Sequence, residues 1–314
     1  MAIVAITALA LALSLAACDT GGGDPTPMTW KTATNSQFAD NELISGIAYG
    51  NGKFVAVGSK GKMATSPDGI TWTAVSNSTF GTTDDITAIA YGKDRFVAGG
   101  YNKTAYSTDG TTWTAASGTF PFTVYVMAVT YGNNMFVAGS YGGKMAYSTN
   151  GASWAAVTNN TFSGEYINAI AYGNGKFVAV GNGGKMTYSS DGATWTAVNT
   201  TAFKNAGGIN AIAYGNGKFV AGSDGGTIAT SSDGITCTAV SNSTFGTTDD
   251  ITAIAYGNGR FVAGIGYETA YSSDGASWSA STITIASSSG IKAIAYGNGR
   301  FVAVSGNTIS YSTN

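Results

Sequence analysis

The chain has 314 residues, with 15 lysines and arginines against 17 aspartates and glutamates and a net charge of -2. This balance provides no broad positive field, so binding to nucleic acid or another polyanion is not expected. Histidine is absent and only two cysteines, Cys18 and Cys237, occur, so we expect no zinc or transition-metal site and no cofactor.

The first 18 residues form an apolar run that ends in Leu15-Ala16-Ala17-Cys18, and residues 19–27 are rich in glycine and proline. Small residues at the end of a short apolar run are typical of a signal-peptidase site. The pattern resembles a bacterial lipoprotein signal, although no Lys or Arg precedes Lys31. An ordinary secretory signal and an N-terminal membrane anchor are the alternatives.

The lipoprotein resemblance implies lipidation of Cys18, with residues 19–27 as a flexible tether. It therefore predicts an extracytoplasmic protein that a lipid holds on a membrane, in the bacterial cell envelope or at the cell surface. If Cys18 carries lipid, Cys237 has no disulfide partner.

From residue 28 onward a Tyr-Gly motif recurs at intervals of 40 to 42 residues, preceded by alanine in every copy except the third, which has Thr130. Its tyrosines are Tyr49, Tyr91, Tyr131, Tyr172, Tyr214, Tyr256 and Tyr296. A period of this length with strand-like segments in each copy is typical of a closed propeller of four-stranded blades. We predict an all-β, seven-bladed β-propeller of antiparallel blades over residues 28–314.

The fourth repeat illustrates one predicted blade. Its strands are expected at 167–172, 176–180, 185–189 and 194–198, and Asn174-Gly175 joins the first two as a tight hairpin. The second strand is apolar on both faces, which predicts burial between neighbouring blades.

The turn before the fourth strand carries the pattern Ser-x-Asp-Gly-x-Thr/Ser-Trp, first seen from Ser66 to Trp72. This box turn resembles the Asp-box, the bacterial neuraminidase repeat, with one residue fewer between Asp and Gly. The resemblance implies that its acidic side chain folds back onto turn amides as a structural group. The corresponding residues are Asp68, Asp109, Asn150, Asp191, Asp233 and Asp274.

The ends of the array are complementary. The last repeat stops at Asn314, before a fourth strand, whereas Met28 to Ala33 contain Trp30 in a strand-like segment. We therefore expect the N-terminal strand to complete the last blade, which leaves no open edge between the first and last blades.

Residues 68–92 match residues 233–257 at every position except Trp72, which corresponds to Cys237. Such similarity indicates a duplication within the array and places Cys237 in a site shaped for tryptophan. Truncation of a core tryptophan costs about 3 to 5 kcal/mol, so that blade should be the weakest. A functional thiol is the alternative, but no histidine exists to activate it.

The basic residues after the hairpins and the box aspartates are predicted to lie on one face, where salt bridges between them are expected. These basic residues are Lys53, Arg95, Lys176, Lys218, Arg260 and Arg300.

The Asp-box resemblance also implies a sialidase-like glycosidase, whose substrate carboxylate is held by three arginines. Arg95, Arg260 and Arg300 all occupy the repeated position and cannot converge without breaking the repeat. The glutamates Glu42, Glu165 and Glu268 are expected on the opposite face in separate blades, and the pairs at 84–85 and 249–250 are expected to start strands. We therefore predict a protein that is not an enzyme, with a glycoside hydrolase as the alternative.

Repeats diverge mainly in the turns between second and third strands and in the connections between blades, among them 35–42 and 117–125. The candidate ligand-binding residues in these turns are Lys60, Tyr101, Asn102, Tyr141, Asp224, Tyr267 and Glu268. Tyrosines beside polar residues favour a protein or glycan ligand. The sequence thus predicts a monomeric, lipid-anchored, non-catalytic binding or scaffolding module for an envelope protein or a surface glycan.

Overall fold

The structure is a computed structural model that describes residues 27–117, 120–159, 161–241, 245–246, 248–281 and 289–313. The predicted signal with Cys18, the tether up to residue 26 and Asn314 lie outside the described residues. No helix in the described ranges is long and apolar enough to span a bilayer.

The described chain is built from short strands and three single-turn 3-10 helices, Ser59–Gly61, Tyr141–Gly143 and Asp224–Gly226. The strands of the first half are β1 Trp30–Thr32, β2 Ile44–Gly50, β3 Lys53–Gly58, β4 Met63–Ser66, β5 Thr73–Ala74, β6 Ile86–Gly92, β7 Arg95–Gly100, β8 Lys103–Ser107, β9 Thr114–Ala115, β10 Val126–Gly132, β11 Met135–Ser140, β12 Met145–Ser148 and β13 Ala155–Ala156. Those of the second half are β14 Ile167–Gly173, β15 Lys176–Gly181, β16 Met186–Ser189, β17 Thr196–Val198, β18 Ile209–Gly215, β19 Lys218–Ser223, β20 Ile228–Ser231, β21 Thr238–Ala239, β22 Ile251–Gly257, β23 Arg260–Ile265, β24 Glu268–Ser272, β25 Ser279–Ala280, β26 Ile291–Gly297, β27 Arg300–Ser305 and β28 Thr308–Ser312.

These strands form seven four-stranded antiparallel sheets, so the predicted propeller is confirmed. Blade 1 consists of β2 to β5, and each following group of four strands forms the next blade up to blade 6. Blade 7 combines β26, β27 and β28 with β1, in which Trp30 pairs with Ser312. The expectation that the N-terminal strand completes the last blade is therefore also confirmed.

The Tyr-Gly motif joins neighbouring blades at the inner strands. A side-chain carbon built on Gly50 would lie only 2.0 Å from Cγ of Tyr91, so glycine is required where the tyrosine ring of the next blade packs. The same packing joins Gly92 to Tyr131, Gly132 to Tyr172, Gly173 to Tyr214, Gly215 to Tyr256, Gly257 to Tyr296 and Gly297 to Tyr49. The last of these contacts closes the ring, and the repeated motif is thus explained by packing.

The second strands are buried along almost their whole length, as their apolar sequence predicts. Phe54 and its equivalents in the other blades are at most 2% exposed. Each first strand carries an irregularity in register after its first residue, and the residue there lines a central channel of about 210 Å³. These channel residues are Ser45, Thr87, Met127, Asn168, Asn210, Thr252 and Lys292.

Candidate functional site

The two faces of the propeller are built from different turns. The box face carries the two-residue hairpins between first and second strands and the box turns between third and fourth strands. The loop face carries the turns between second and third strands and the connections between blades.

Box side chains bond to their own turns. Asp68 Oδ1 accepts hydrogen bonds from the backbone amides of Ile70 and Thr71, both at 2.9 Å, while the Ser66 hydroxyl accepts one from Gly69. The other boxes repeat this arrangement, with Asn150 replacing aspartate without loss of the two amide partners. The Oδ1 atom of each box aspartate is thus occupied by the amides of its own turn.

The electrostatics of the boxes agree with this geometry. Hydrogen bonds from the amides of Thr236 and Ile235 lower the pKa of Asp233 to about 2. Burial raises the pKa of Asp109, but amide hydrogen bonds from Thr112 and Thr111 outweigh it and the net shift is downward. A group held ionised in this way cannot act as a general acid near neutral pH.

The expected salt bridges of the box face are wrong. In the described part of the chain, the ion pairs are Lys62 with Glu42 and Lys103 with Asp84, and neither joins a basic residue of this face to a box aspartate. Instead, Arg95 donates to the carbonyl of Asn150 and Lys218 to that of Asp274, each in the next blade. Arg95, Arg260 and Arg300 also lie over tyrosine rings of their own blades, at 5.1 to 5.7 Å from the ring centres. The carbonyl is the better partner in reach because each aspartate is already bonded within its turn.

The hairpin residues extend these inter-blade contacts. Asn51 donates through Nδ2 to the carbonyl of Thr108 in blade 2, and Asn298 of blade 7 donates to that of Pro67 in blade 1. Lys93, Asn133, Asn174 and Asn216 make the corresponding bonds to blades 3, 4, 5 and 6. The box face is therefore used to hold blades together.

On the loop face, each turn between second and third strands meets the residue that precedes the next blade. At the boundary of blades 1 and 2 the Lys60 amide donates to Asp85, and at that of blades 5 and 6 the Gly225 amide donates to Asp250. Asn182 and Gly208 form an isolated bridge between blades 4 and 5. These boundaries are polar and internally bonded.

Tyrosines occupy the same positions at two successive boundaries. Tyr101 of blade 2 packs on Tyr125, with ring centres 5.0 Å apart, and Tyr141 of blade 3 packs on Tyr166, with ring centres 4.0 Å apart. The Tyr141 amide donates to the Tyr125 carbonyl at 3.0 Å. The two ring pairs therefore lie at successive boundaries across blades 2 to 4 and are linked through the backbone, and we call these four side chains the tyrosine track.

Exposed large hydrophobic side chains concentrate on this face. In the described residues they are Leu43, Tyr101, Tyr125, Tyr141 and Tyr267, which are between 38% and 52% exposed. All lie either in a turn between second and third strands or just before a first strand. An exposed aromatic cluster rimmed by polar groups is a common mark of a binding surface.

Two grooves lie at equivalent places on the loop face. The blade-2 groove, of about 530 Å³, is lined by Phe80, Asp84, Tyr101, Asn102 and Lys103, with Thr104 and small residues at its base. The blade-6 groove, of about 470 Å³, is lined by Asp249, Asp250, Tyr267 and Glu268. The first belongs to one copy of the duplicated segment and the second to the other.

The candidate residues named from the sequence therefore do not form one site. Tyr101 and Asn102 share the blade-2 groove, and Tyr267 and Glu268 share the blade-6 groove. Lys60 lies at another boundary, and Asp224 accepts a hydrogen bond from Asn210 at 2.7 Å beside the channel. Tyr101 and Tyr141 are linked through Tyr125, and Tyr141 also packs on Tyr166; sequence reasoning missed both Tyr125 and Tyr166.

Alignment of the repeats on their first strands would have identified both missed tyrosines. The residue just before that strand is Leu43, Asp85, Tyr125, Tyr166, Gly208, Asp250 and Gly290 in successive blades. A stacked pair is indicated where one blade has a tyrosine in its loop-face turn and the next blade has a tyrosine just before its first strand.

The acidic residues need one correction. The three glutamates belong to different blades as expected, but the aspartate pairs precede their strands, which begin at Ile86 and Ile251, and Asp249 and Asp250 line one groove with Glu268. Asp249 accepts a hydrogen bond from the Gly246 amide at 2.7 Å and Asp250 accepts one from Gly225, as their copies Asp84 and Asp85 do in blade 2. Glu42 is buried and accepts a hydrogen bond from the Ala39 amide. In the ranges that the structure covers, no group of three or more side chains is arranged to hold a metal ion.

Comparison with known proteins supports the fold. The model of the DUF6242 beta propeller domain matches residues 123–239, which is less than half of the chain. No curated protein sequence matches the chain.

Similar solved structures cover nearly the whole chain at low identity. YCF48 from Cyanidioschyzon merolae is 16% identical with a TM-score of 0.69, covering 90% of this chain and 98% of that one. YCF48 bound to D1 peptide is 14% identical with a TM-score of 0.70, covering 92% and 95%. Streptogramin B lyase is 12% identical with a TM-score of 0.75, covering 91% and 98%. Because these propellers include a peptide-bound protein and an enzyme, the likeness supports the fold and leaves function to the site.

Proposed function

We propose that this protein is a non-catalytic binding module that recognises an envelope protein or a surface glycan through its loop face. The observation that carries the proposal is that the two faces differ in how many of their side chains already make structural contacts. Many box-face side chains are bonded within turns or between blades, whereas the exposed tyrosines and the grooves of about 530 and 470 Å³ lie on the loop face.

Lipid anchoring at Cys18 is part of the proposal, and it rests on the Leu-Ala-Ala-Cys sequence and the glycine- and proline-rich segment after it. A tether of this composition would let the propeller present its loop face to a ligand in the envelope or at the cell surface. The propeller is proposed to act as a monomer. Incorporation of a palmitate analogue into the full chain in a bacterial host, and its loss in Cys18→Ala, tests the anchor.

Capture of ligands from a detergent extract of bacterial envelopes tests the binding face. The immobilised protein is compared with Tyr101→Ala/Tyr141→Ala and with the box-face control Lys176→Ala. We expect the captured species to be lost with the loop-face variant and kept with the control. Equal capture by all forms would contradict the proposal.

A glycoside hydrolase is the second candidate, because the blade-6 groove brings Asp249, Asp250 and Glu268 together. Two acids in one pocket are what glycoside hydrolysis requires. Against it, the two aspartates are bonded to backbone amides in the same way as their copies in blade 2, and the arginines lie over tyrosines on the box face. Hydrolysis of aryl glycosides, including an aryl sialoside, that is abolished by Glu268→Gln would favour this candidate over the binding module.

A further inference from the structure

We propose that the blade-2 groove and the tyrosine track together form a binding site for a neutral oligosaccharide. This inference rests on the proposed function and narrows its ligand to one chemical class. The site combines Tyr101, Tyr125, Tyr141 and Tyr166 with the polar lining of the groove.

The groove offers both kinds of contact that a sugar needs. Tyr101 supplies exposed aromatic surface, while Asn102, Lys103 and Asp84 supply donors and acceptors. A pyranose ring has apolar C–H faces and a rim of hydroxyl groups, so it matches aromatic rings flanked by polar side chains.

One buried polar atom at the groove lacks a partner. Thr104 is 5% exposed, and its Oγ1 makes no hydrogen bond to any described residue. The equivalent Thr269 in blade 6 donates to Ser281 at 2.7 Å, whereas blade 2 has Ala116 at the position of Ser281. Since a buried hydroxyl without a partner is costly, this group distinguishes the third strand of blade 2 from that of blade 6.

The track determines the shape of the ligand. Tyr101 belongs to the groove and packs on Tyr125, whose backbone bonds to Tyr141, which in turn packs on Tyr166. Two tyrosine pairs thus lie at successive blade boundaries, and the first of them adjoins the groove. An elongated ligand of several sugar units can contact both pairs, whereas a single sugar cannot.

The charge and composition favour a neutral saccharide over a protein partner. Among the described residues, the charged groups that line the groove are Lys103 and Asp84, and they form an ion pair of 2.6 Å. The exposed side chains of the track are tyrosines without aliphatic neighbours of comparable exposure, since Leu43 lies before blade 1. Protein interfaces are enriched in tyrosine but depleted of charged residues at their centre, and the ion pair in this groove departs from that second feature.

Calorimetric titration of the propeller tests the inference with a defined set of probes. These are hexasaccharides of β-linked glucose, β-linked xylose, β-linked mannose, α-linked glucose and β-linked N-acetylglucosamine. We expect at least one to bind, and we expect Tyr101→Ala and Tyr141→Ala each to weaken that binding by about tenfold. Tyr141→Phe keeps the ring and should lose less than Tyr141→Ala.

Tyr267→Ala is the matched control, because Tyr267 is as exposed as Tyr101 and lies in the blade-6 groove. It should change affinity by less than about twofold, and melting temperatures should identify any variant that fails to fold. Absence of binding for every probe at several millimolar overturns the inference, and so does equal weakening by Tyr267→Ala. Loop-face capture of an envelope protein without oligosaccharide binding would overturn this inference while leaving the proposed function intact.

Discussion

Residues 68–92 and 233–257 differ at one position, yet the two copies occupy different surroundings. In the first copy Trp72 is 4% exposed and its indole N–H donates to the Gly69 carbonyl at 3.2 Å. In the second, Cys237 is partly buried, and its sulfur lies 3.8 Å from Sδ of Met186 in blade 4. Burial raises the pKa of the Cys237 thiol.

The two copies also differ in the charge of the first residue of the third strand that follows each of them. Lys103 lies beside Asp84 in the blade-2 groove, whereas Glu268 lines the blade-6 groove with Asp249. Because the duplicated residues are the same, the difference between the grooves comes from the strand and turn that follow each copy. The duplicated residues thus form the same turns in both copies. The charge of each groove depends on residues outside the duplicated segment.

Replacement of Trp72 by cysteine should give the largest effect. Trp72→Cys removes a buried indole that packs with Phe54 and Val302, and we expect a loss of about 3 to 5 kcal/mol in the free energy of unfolding. Chemical denaturation measures it. A loss below about 1 kcal/mol would mean that the box tryptophan is dispensable and that the copies are equivalent in stability.

The reverse change, Cys237→Trp, should stabilise the protein by about 0.5 to 2 kcal/mol. Met186 does not prevent this, because Met63 packs in one cluster with Trp113 and Met145 packs in one with Trp195. The midpoint of chemical denaturation is the measurement, with Cys237→Ser as a control for loss of the thiol alone. A destabilised tryptophan variant would show that the residues packed around Cys237 leave no room for an indole.

Exchange of the charges that distinguish the grooves should have a smaller effect. Lys103→Glu removes the Lys103 hydrogen bond that, with the Gly81 amide, lowers the pKa of Asp84. We expect a loss below about 1 kcal/mol at pH 7, because the pair is partly exposed. The folded pKa of Asp84 lies below its unfolded value, so the contribution is present above about pH 4 and disappears as the pH falls through the folded pKa.

Denaturation of Lys103→Glu and wild type at pH 7 and at acid pH checks that expectation, and Glu268→Lys is the matched change in the other groove. The gap between Lys103→Glu and wild type should narrow in acid. A gap that stays constant would show that the lysine acts through packing of its stem and not through its charge.

The sequence was a good guide wherever the period holds. The Tyr-Gly spacing, the apolar second strands and the strand at Trp30 led to the blade count, the burial and the closure of the ring. It was a poor guide where contacts depend on which blade adjoins which. Tyr125 and Tyr166 precede their strands by one residue. They form stacked pairs only because a tyrosine in a turn of the preceding blade packs on each of them. The prediction of salt bridges on the box face was wrong for a related reason, because the aspartates accept hydrogen bonds from amides of their own turns.

The smallest expected difference lies in the box turns, where the two copies should behave alike. The amides of Thr236 and Ile235 hold the pKa of Asp233 at about 2, below its unfolded value of about 3.9. Stabilisation by this carboxylate is therefore complete above about pH 4 and is lost as the pH falls through about 2.

Asp233→Asn keeps an amide acceptor, as Asn150 does naturally, so it should cost less than about 1 kcal/mol at pH 7 and flatten the acid limb of the stability curve. Asp68→Asn should do the same, since burial raises the pKa of Asp68 but the amides of Thr71 and Ile70 bring the net shift downward. Denaturation between pH 7 and 2, with carboxyl titration by NMR, measures both variants. Different acid limbs would mean that the turn responds to the residue at 72 or 237, and that the duplicated turns are not independent of the core beneath them.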